Sequence, residues 1–224
     1  MGDVVQVRFD KIPSFLGLPI SDLEGLAPNQ VAIAGYFCDN LDQTFAGQRY
    51  LARQLRYVSR SKAVPVNATD LGDLNVFPLE PEKHFSAVIS QCEEVLKLGT
   101  YLVLVGGDSS GLKALGAAVE NVVNLDVPIV SISNNNKLNL SKTQKIILSV
   151  DLKDLAGKWV SKPRRLNGLS PSQIITQINN IPNKIIAVAI FGLAPELDSR
   201  GSTETQVALN ILEAVVKRLD KGAH

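Results

Sequence analysis

Two stretches of this chain combine residue types and spacing that could carry chemistry: Val105-Gly106-Gly107-Asp108-Ser109-Ser110-Gly111 and Ser149-Val150-Asp151-Leu152-Lys153-Asp154. The first follows an apolar run and opens a helical pattern, the place where α/β proteins bind ligands and where bare helix-start amides attract anions. As a phosphate loop it fails in detail. Leu112 follows Gly111, the closing glycine, Lys113 comes one place late, Ala114 stands where a hydroxyl belongs, and Asp108 would repel phosphate. In the second stretch Asp151 and Lys153 are two residues apart and share a strand face. A carboxylate and an ammonium there make either a site or a local ion pair. Arg49, Arg53, Arg56 and Arg60 fall near one helix face. Such a stripe can contact nucleic acid, but no aromatic stacking set accompanies it and the overall charge is near neutral, so the expectation is a solvated or subunit-contact face. Lys158, Lys162, Arg164 and Arg165 crowd a loop that could receive an anion, with a solvated loop as the default.

Composition removes several other chemistries. Among 224 residues there are two histidines, His84 and the terminal His224, and two cysteines, Cys38 and Cys92. A zinc site needs about three or four Cys, His or acidic ligands in usable spacing, and histidine-assisted nucleophilic catalysis would have to use His84. A formal net charge of +1 gives no general pull toward nucleic acid or an anionic membrane. The absence of a disulfide framework or a leader pattern points to a reducing, cytoplasmic setting.

The elements that must position these residues are written as five nearly continuous β-branched runs, at 31–37, 101–107, 127–133, 145–151 and 184–192. Strands buried on both faces of a parallel sheet look like this. A weaker strand is expected at 63–67, where Pro65 marks an edge. Helical patterns lie between the runs. The segment 81–98 starts with Pro81 and Glu82 and stops at Gly99. Ser170-Pro171-Ser172-Gln173 reads as a capping box, and Thr203-x-x-Gln206 as a second. Alternating strands and helices predict a single wound α/β domain over 1–224, with 134–144 the most loop-like interior segment.

Taken in order, the pieces resemble the ureohydrolase family of arginases and agmatinases over nearly the whole chain. Ser14-Phe15-Leu16-Gly17-Leu18-Pro19 is similar to F-L-G-x-P, and Gly35-Tyr36-Phe37-Cys38-Asp39 to G-x-P-F-D. Gly47-Gln48-Arg49 with Arg56 resembles G-A-R…I-R, Asp70-Leu71-Gly72-Asp73 the D-x-G-D turn, and Gly106 to Ser110 the G-G-D-H-S motif. Ser149 to Lys153 resembles S-x-D-x-D. Gly168-Leu169-Ser170 is similar to G-L-T, and Asp198 with Gly201 to Thr203 to the opening of the last helix. The resemblance implies a three-layer αβα fold with a mainly parallel sheet.

It also implies a site that this chain lacks. Active members hold two Mn²⁺ ions with two histidines and four aspartates. Carried over, the G-G-D-H-S histidine is Ser109. The D-x-H-x-D ligands become Ser133, Asn135 and Lys137. In S-x-D-x-D, Asp151 remains and the second aspartate is Lys153. The substrate-contacting glutamate maps to Gly192. Hard divalent ions need several convergent oxygen or imidazole ligands, and without them no metal-bound hydroxide forms. The expectation is a protein with no metal, cofactor or catalytic residue: a pseudoenzyme acting as a structural or regulatory subunit. The family's trimers and hexamers imply a homo-oligomer or an active paralogue as partner.

Lys153 and Lys137 would replace the cations as partners for Asp151 and Asp108. Two alternatives stay open. The remnant rim of Asp108, Ser109, Ser133, Asn135, Lys137, Asp151 and Lys153 could bind a guanidino compound or amine, or Lys153 could support altered C–N hydrolysis. The segment between the two metal motifs is also short. That predicts about six strands with 127–133 as a new edge, and a connection at 134–144 that is either an extended crossover or a hairpin making 138–140 an antiparallel strand.

Overall fold

Apolar residues that alternate between two covered faces build a six-stranded sheet in this computed structural model, which describes residues 13–41, 46–132, 141, 143–160, 167–198 and 203–222. The strands are β1 (Val31–Gly35), β2 (Ala68–Asp73), β3 (Tyr101–Val105), β4 (Ile129–Ser131), β5 (Lys145–Asp151) and β6 (Lys184–Phe191). Their order is β2-β1-β3-β6-β5-β4, and every neighbouring pair is parallel. The helices are α1 (Leu51–Ser59), α2 (Pro81–Lys97), α3 (Ser110–Val123), α4 (Pro171–Asn180) and α5 (Thr203–Gly222).

The two faces differ in the size of their side chains. Ala32, Ala34, Ala187 and Ala189 give α2 and α3 a shallow surface, which lets those helices approach closely. Val31, Ile33, Val103, Ile146, Leu148 and Val188 face α1, α4 and α5 on the other side. The result is the three-layer αβα arrangement that the continuous runs imply. Among the described residues no helix is long and apolar enough to cross a membrane.

Local signals place most helix ends. Ser170 and Gln173 form the expected capping box, with the Ser170 N–H donating to Gln173 Oε1 at 2.8 Å. Pro81 opens α2, and Gly99, at φ 77°, closes it. The second candidate box is different: Thr203 is already the first residue of α5, and Asp198 accepts the Thr205 N–H at 3.1 Å.

Two strand expectations change. The edge strand is Ala68–Asp73, not 63–67. Val66 N–H and Ala68 N–H donate back to Val64 and Val66 carbonyls two residues away, so 63–67 turns locally before pairing begins. Asp70-Leu71-Gly72-Asp73 therefore ends a strand instead of forming a free turn. At the opposite edge β4 stands where the shortened connection predicts. Ile147 N–H donates to Pro128 and Ile132 N–H to Ser149, so the pairing extends one residue past β4 at each end. Because β4 and β5 run parallel, the chain returns to the start of β5 between them. Positions 138–140 lie outside the described residues.

Candidate functional site

The C-terminal ends of β1, β3, β6 and β5 lie side by side and form one rim. Backbone hydrogen bonds stitch it together. Gly106 N–H donates to Ile190 at 2.8 Å, Gly107 N–H to Gln48 at 3.0 Å, Asp108 N–H to Cys38 at 3.0 Å, and Gly192 N–H to Gly107 at 3.3 Å. The glycine-rich loop is spent on packing. Gly107 has φ 69°, and a Cβ there or at Gly111 would run into the Tyr36 ring. The loop closes over an aromatic side chain and leaves no cradle for phosphate.

Tyr36 lies in a buried polar chain. Phe77 N–H donates to His84 Nδ1 at 3.2 Å, which makes Nε2 the protonated nitrogen of the neutral ring. Nε2 therefore donates to the Tyr36 hydroxyl at 2.7 Å, and Tyr36 donates to Ser110 Oγ at 2.6 Å. The Ser110 hydroxyl in turn donates to Asp108 Oδ1. The same carboxylate accepts the Ser110 and Leu41 N–H groups at 2.9 Å and 3.0 Å. Burial pushes the Tyr36 phenol up and the His84 imidazole down.

A histidine held below its unfolded value of about 6.5 contributes stability that is complete above that pH and is lost as pH falls toward the folded value. Urea unfolding at pH 7.5 and 5.5 is therefore expected to show a loss that His84→Gln reduces. An equal loss in both proteins would assign it elsewhere.

Asp151 ends β5, and Lys153 follows in the turn Leu152–Asp154. The Lys153 N–H donates to Asp151 Oδ1 at 3.0 Å, and its ammonium lies 3.9 Å from Oδ2. The two side chains are only 14% and 8% exposed, so the lysine folds back over the carboxylate. Gly192, at φ 90°, faces this pair. A Cβ there would press on Asp151 Oδ1 and lie 3.3 Å from Lys153 Cε. Ser109 is the N-cap of α3. Ser133, Asn135 and Lys137 lie outside the described residues. Among the described residues no three His, Cys, Asp or Glu side chains form a group able to hold a metal ion.

The arginines separate into different roles. Arg49 precedes α1 in the turn Gln48–Tyr50, and Arg60 caps its end. Asp39 accepts the Gly47 and Arg49 N–H groups at 2.7 Å and 3.2 Å and lies 3.8 Å from the Arg49 guanidinium. Arg53 and Arg60 are exposed, whereas Arg56 departs from the expected solvated or subunit-contact face. Its Nε and Nη2 reach the two Asp70 oxygens at 2.8 Å and 2.9 Å, its Nη1 pairs with Asp73, and its guanidinium lies 4.1 Å from the Phe15 ring centroid. Of the basic loop, Lys158 is described, 5.4 Å from the Trp159 ring centroid. Lys162, Arg164 and Arg165 lie outside the described residues.

No family model matches the sequence, and no curated protein does. Solved structures do. Proclavaminate amidino hydrolase from Streptomyces clavuligerus superposes with a TM-score of 0.82 at 15% identity, covering 96% of this chain and 98% of that chain. A hypothetical agmatinase from Burkholderia thailandensis gives 0.76 at 14% identity, over 94% and 91%. Trypanosoma cruzi formiminoglutamase with Mn²⁺ gives 0.64 at 13% identity, over 84% and 93%. The chain has the ureohydrolase fold.

On the ureohydrolase fold, Asp108 and Ser109 follow the end of β3, and the Asp151–Lys153 pair and Gly192 stand at the ends of β5 and β6 on the same rim. The partnership of Tyr36, His84 and Ser110 is what sequence reasoning missed. One signal was available: His84 occupies the apolar stripe of α2 with Val88, Cys92 and Val95, where a polar residue needs a buried partner.

Proposed function

We propose that this protein is a catalytically silent member of the ureohydrolase fold, serving as a structural or regulatory subunit of an assembly. The observation that carries the reading is the Asp151–Lys153 pair seated against Gly192. An ammonium covers a carboxylate at the position where the resemblance puts two metal-binding aspartates. The space of a substrate-contacting glutamate is taken by that same pair. The described donors do not suit two hard divalent ions, which need several carboxylates to offset their mutual repulsion. An amine or guanidine binder is less well supported, because Asp108 already accepts from Leu41 and Ser110.

The test is elemental analysis of the purified protein, together with urea release from arginine and agmatine in added Mn²⁺. The expected result is no stoichiometric manganese and no urea. Urea release dependent on Mn²⁺ would overturn the reading. The assembly is tested by light scattering at micromolar concentration, where a species larger than a monomer is expected, alone or with a ureohydrolase partner.

The same pair makes a stability prediction. Lys153→Ala leaves Asp151 mostly buried beside a vacated ammonium, and this is expected to cost about 2 kcal/mol in urea unfolding. Lys153→Met keeps the packing of the stem and separates loss of charge from loss of contact. A Lys153→Ala protein as stable as the parent would remove the pair as a stabilising substitute for the ions.

A further inference from the structure

The end of the sheet opposite the rim carries a cavity of about 380 Å³ between the starts of β3, β5 and β6 and the last turns of α2 and α3. Leu96, Val119, Val122, Val123 and Ile186 give it an apolar wall, and Lys145 and Lys184 stand at its mouth. The two lysines are direct partners in the β5–β6 ladder. Partners on adjacent parallel strands are about 4.8 Å apart and point to the same side. Like charges so placed destabilise a sheet.

No aspartate or glutamate lines the cavity, and among the described residues neither lysine makes an ion pair. Lys184 lies 5.9 Å from the Tyr101 ring centroid. Beyond Tyr101, a second hollow of about 280 Å³ shares Lys184 and adds Arg218.

Helix C-termini point here and carry about half a negative charge each. Those charges offset only part of the two ammonium groups, and local donors engage the last carbonyls. Leu98 N–H and the Thr100 hydroxyl donate to Val95, Gly99 N–H donates to Leu96, and Asn124 N–H donates to Glu120. The formal charges on the cavity lining are those of Lys145 and Lys184. The volume falls within the range of small-ligand pockets.

We infer that this cavity is a binding site for a small organic anion, its carboxylate or phosphate head held between Lys145 and Lys184 and its hydrocarbon part against the α2–α3 wall. The site is remote from the rim and independent of whether the rim is active. The two lysines, neighbours in the ladder with no carboxylate in the cavity lining, supply the positive charge that the ligand's head meets.

The experiment titrates octanoate, octyl phosphate, octanol and octylammonium into the full chain, with binding mapped by backbone amide shifts. At least one anion is expected to bind at least ten-fold more tightly than octanol, octylammonium more weakly than either anion, with shifts at Tyr101, Val122, Lys145 and Lys184. Comparing the two anions decides between a carboxylate and a phosphate head. Lys145→Gln and Lys184→Gln should each weaken the anion at least five-fold and leave the melting temperature of the free protein unchanged or higher, since each removes the like-charge contact. Octanol binding as tightly as both anions, shifts confined to other surfaces, or no saturation by either anion would overturn the inference.

Discussion

Arg56→Ala is expected to be the most damaging single truncation among the charged residues, at about 3–5 kcal/mol in equilibrium unfolding. The arginine side chain is 12% exposed and Asp70 is 2% exposed. Removing the guanidinium therefore strands a buried carboxylate that, among the described residues, keeps the Phe15 and Gly72 N–H groups, each at 2.9 Å. The Gly72 carbonyl also loses its donor, which stood at 2.7 Å, and the Phe15 ring loses its stacked cation. The clasp joins three pieces: α1, the edge strand β2 and the N-terminal segment that carries Phe15. Arg56→Lys retains one charge without the two-pronged geometry and is expected to recover only part of the loss. A double-mutant cycle with Asp70→Ala isolates the pair, and a coupling below about 1 kcal/mol would show that Arg56 acts through packing alone.

Arg56 also shows where the sequence was legible and where it was not. The buried positions of α1 are Leu51, Ala52, Leu55 and Ser59. Position 56 belongs to the stripe 52-55-56-59, so its burial was readable from periodicity. Charge pulled the reading toward solvent, because the carboxylates that neutralise Arg56 come from another element. For the same reason β2 escaped detection. Ala68-Thr69-Asp70-Leu71-Gly72-Asp73 is too polar to resemble a buried strand, and its polarity is satisfied by Arg56 and by the Pro19 carbonyl, which accepts from Thr69 at 2.9 Å. The interior strands β1, β3, β5 and β6 were plain because apolar residues needed on both faces leave a continuous run. At the rim, Asp151 and Lys153 were found by a spacing of two. They meet for another reason: Lys153 has left the strand for a turn whose N–H returns to Asp151. The His84–Tyr36–Ser110 chain was out of reach of local spacing, since its partners are 48 and 74 residues apart.

Gly192→Glu, which places a glutamate where the resemblance to arginases and agmatinases expects one, is expected to destabilise the protein by more than about 3 kcal/mol. Three effects act together. A side chain at φ 90° is strained by about 1–3 kcal/mol. Its Cβ meets Asp151 Oδ1, and overpacking of that kind costs about 1–3 kcal/mol. The new carboxylate then lies beside Asp151 and shares the Lys153 ammonium with it. Gly192→Ala carries the first two effects without the third, so the difference between the two variants measures the charge. In a Lys153→Ala background the third effect grows, because the Lys153 ammonium no longer offsets the two carboxylates, and Gly192→Glu should cost more there than in the parent. A Gly192→Glu protein as stable as the parent would mean that Asp151 and Lys153 move aside readily, and the closed rim would then be a shallow energy minimum that a ligand could open. The stated loss would instead mark the pair and the glycine as one packed unit, in which restoring a single family residue cannot restore the site.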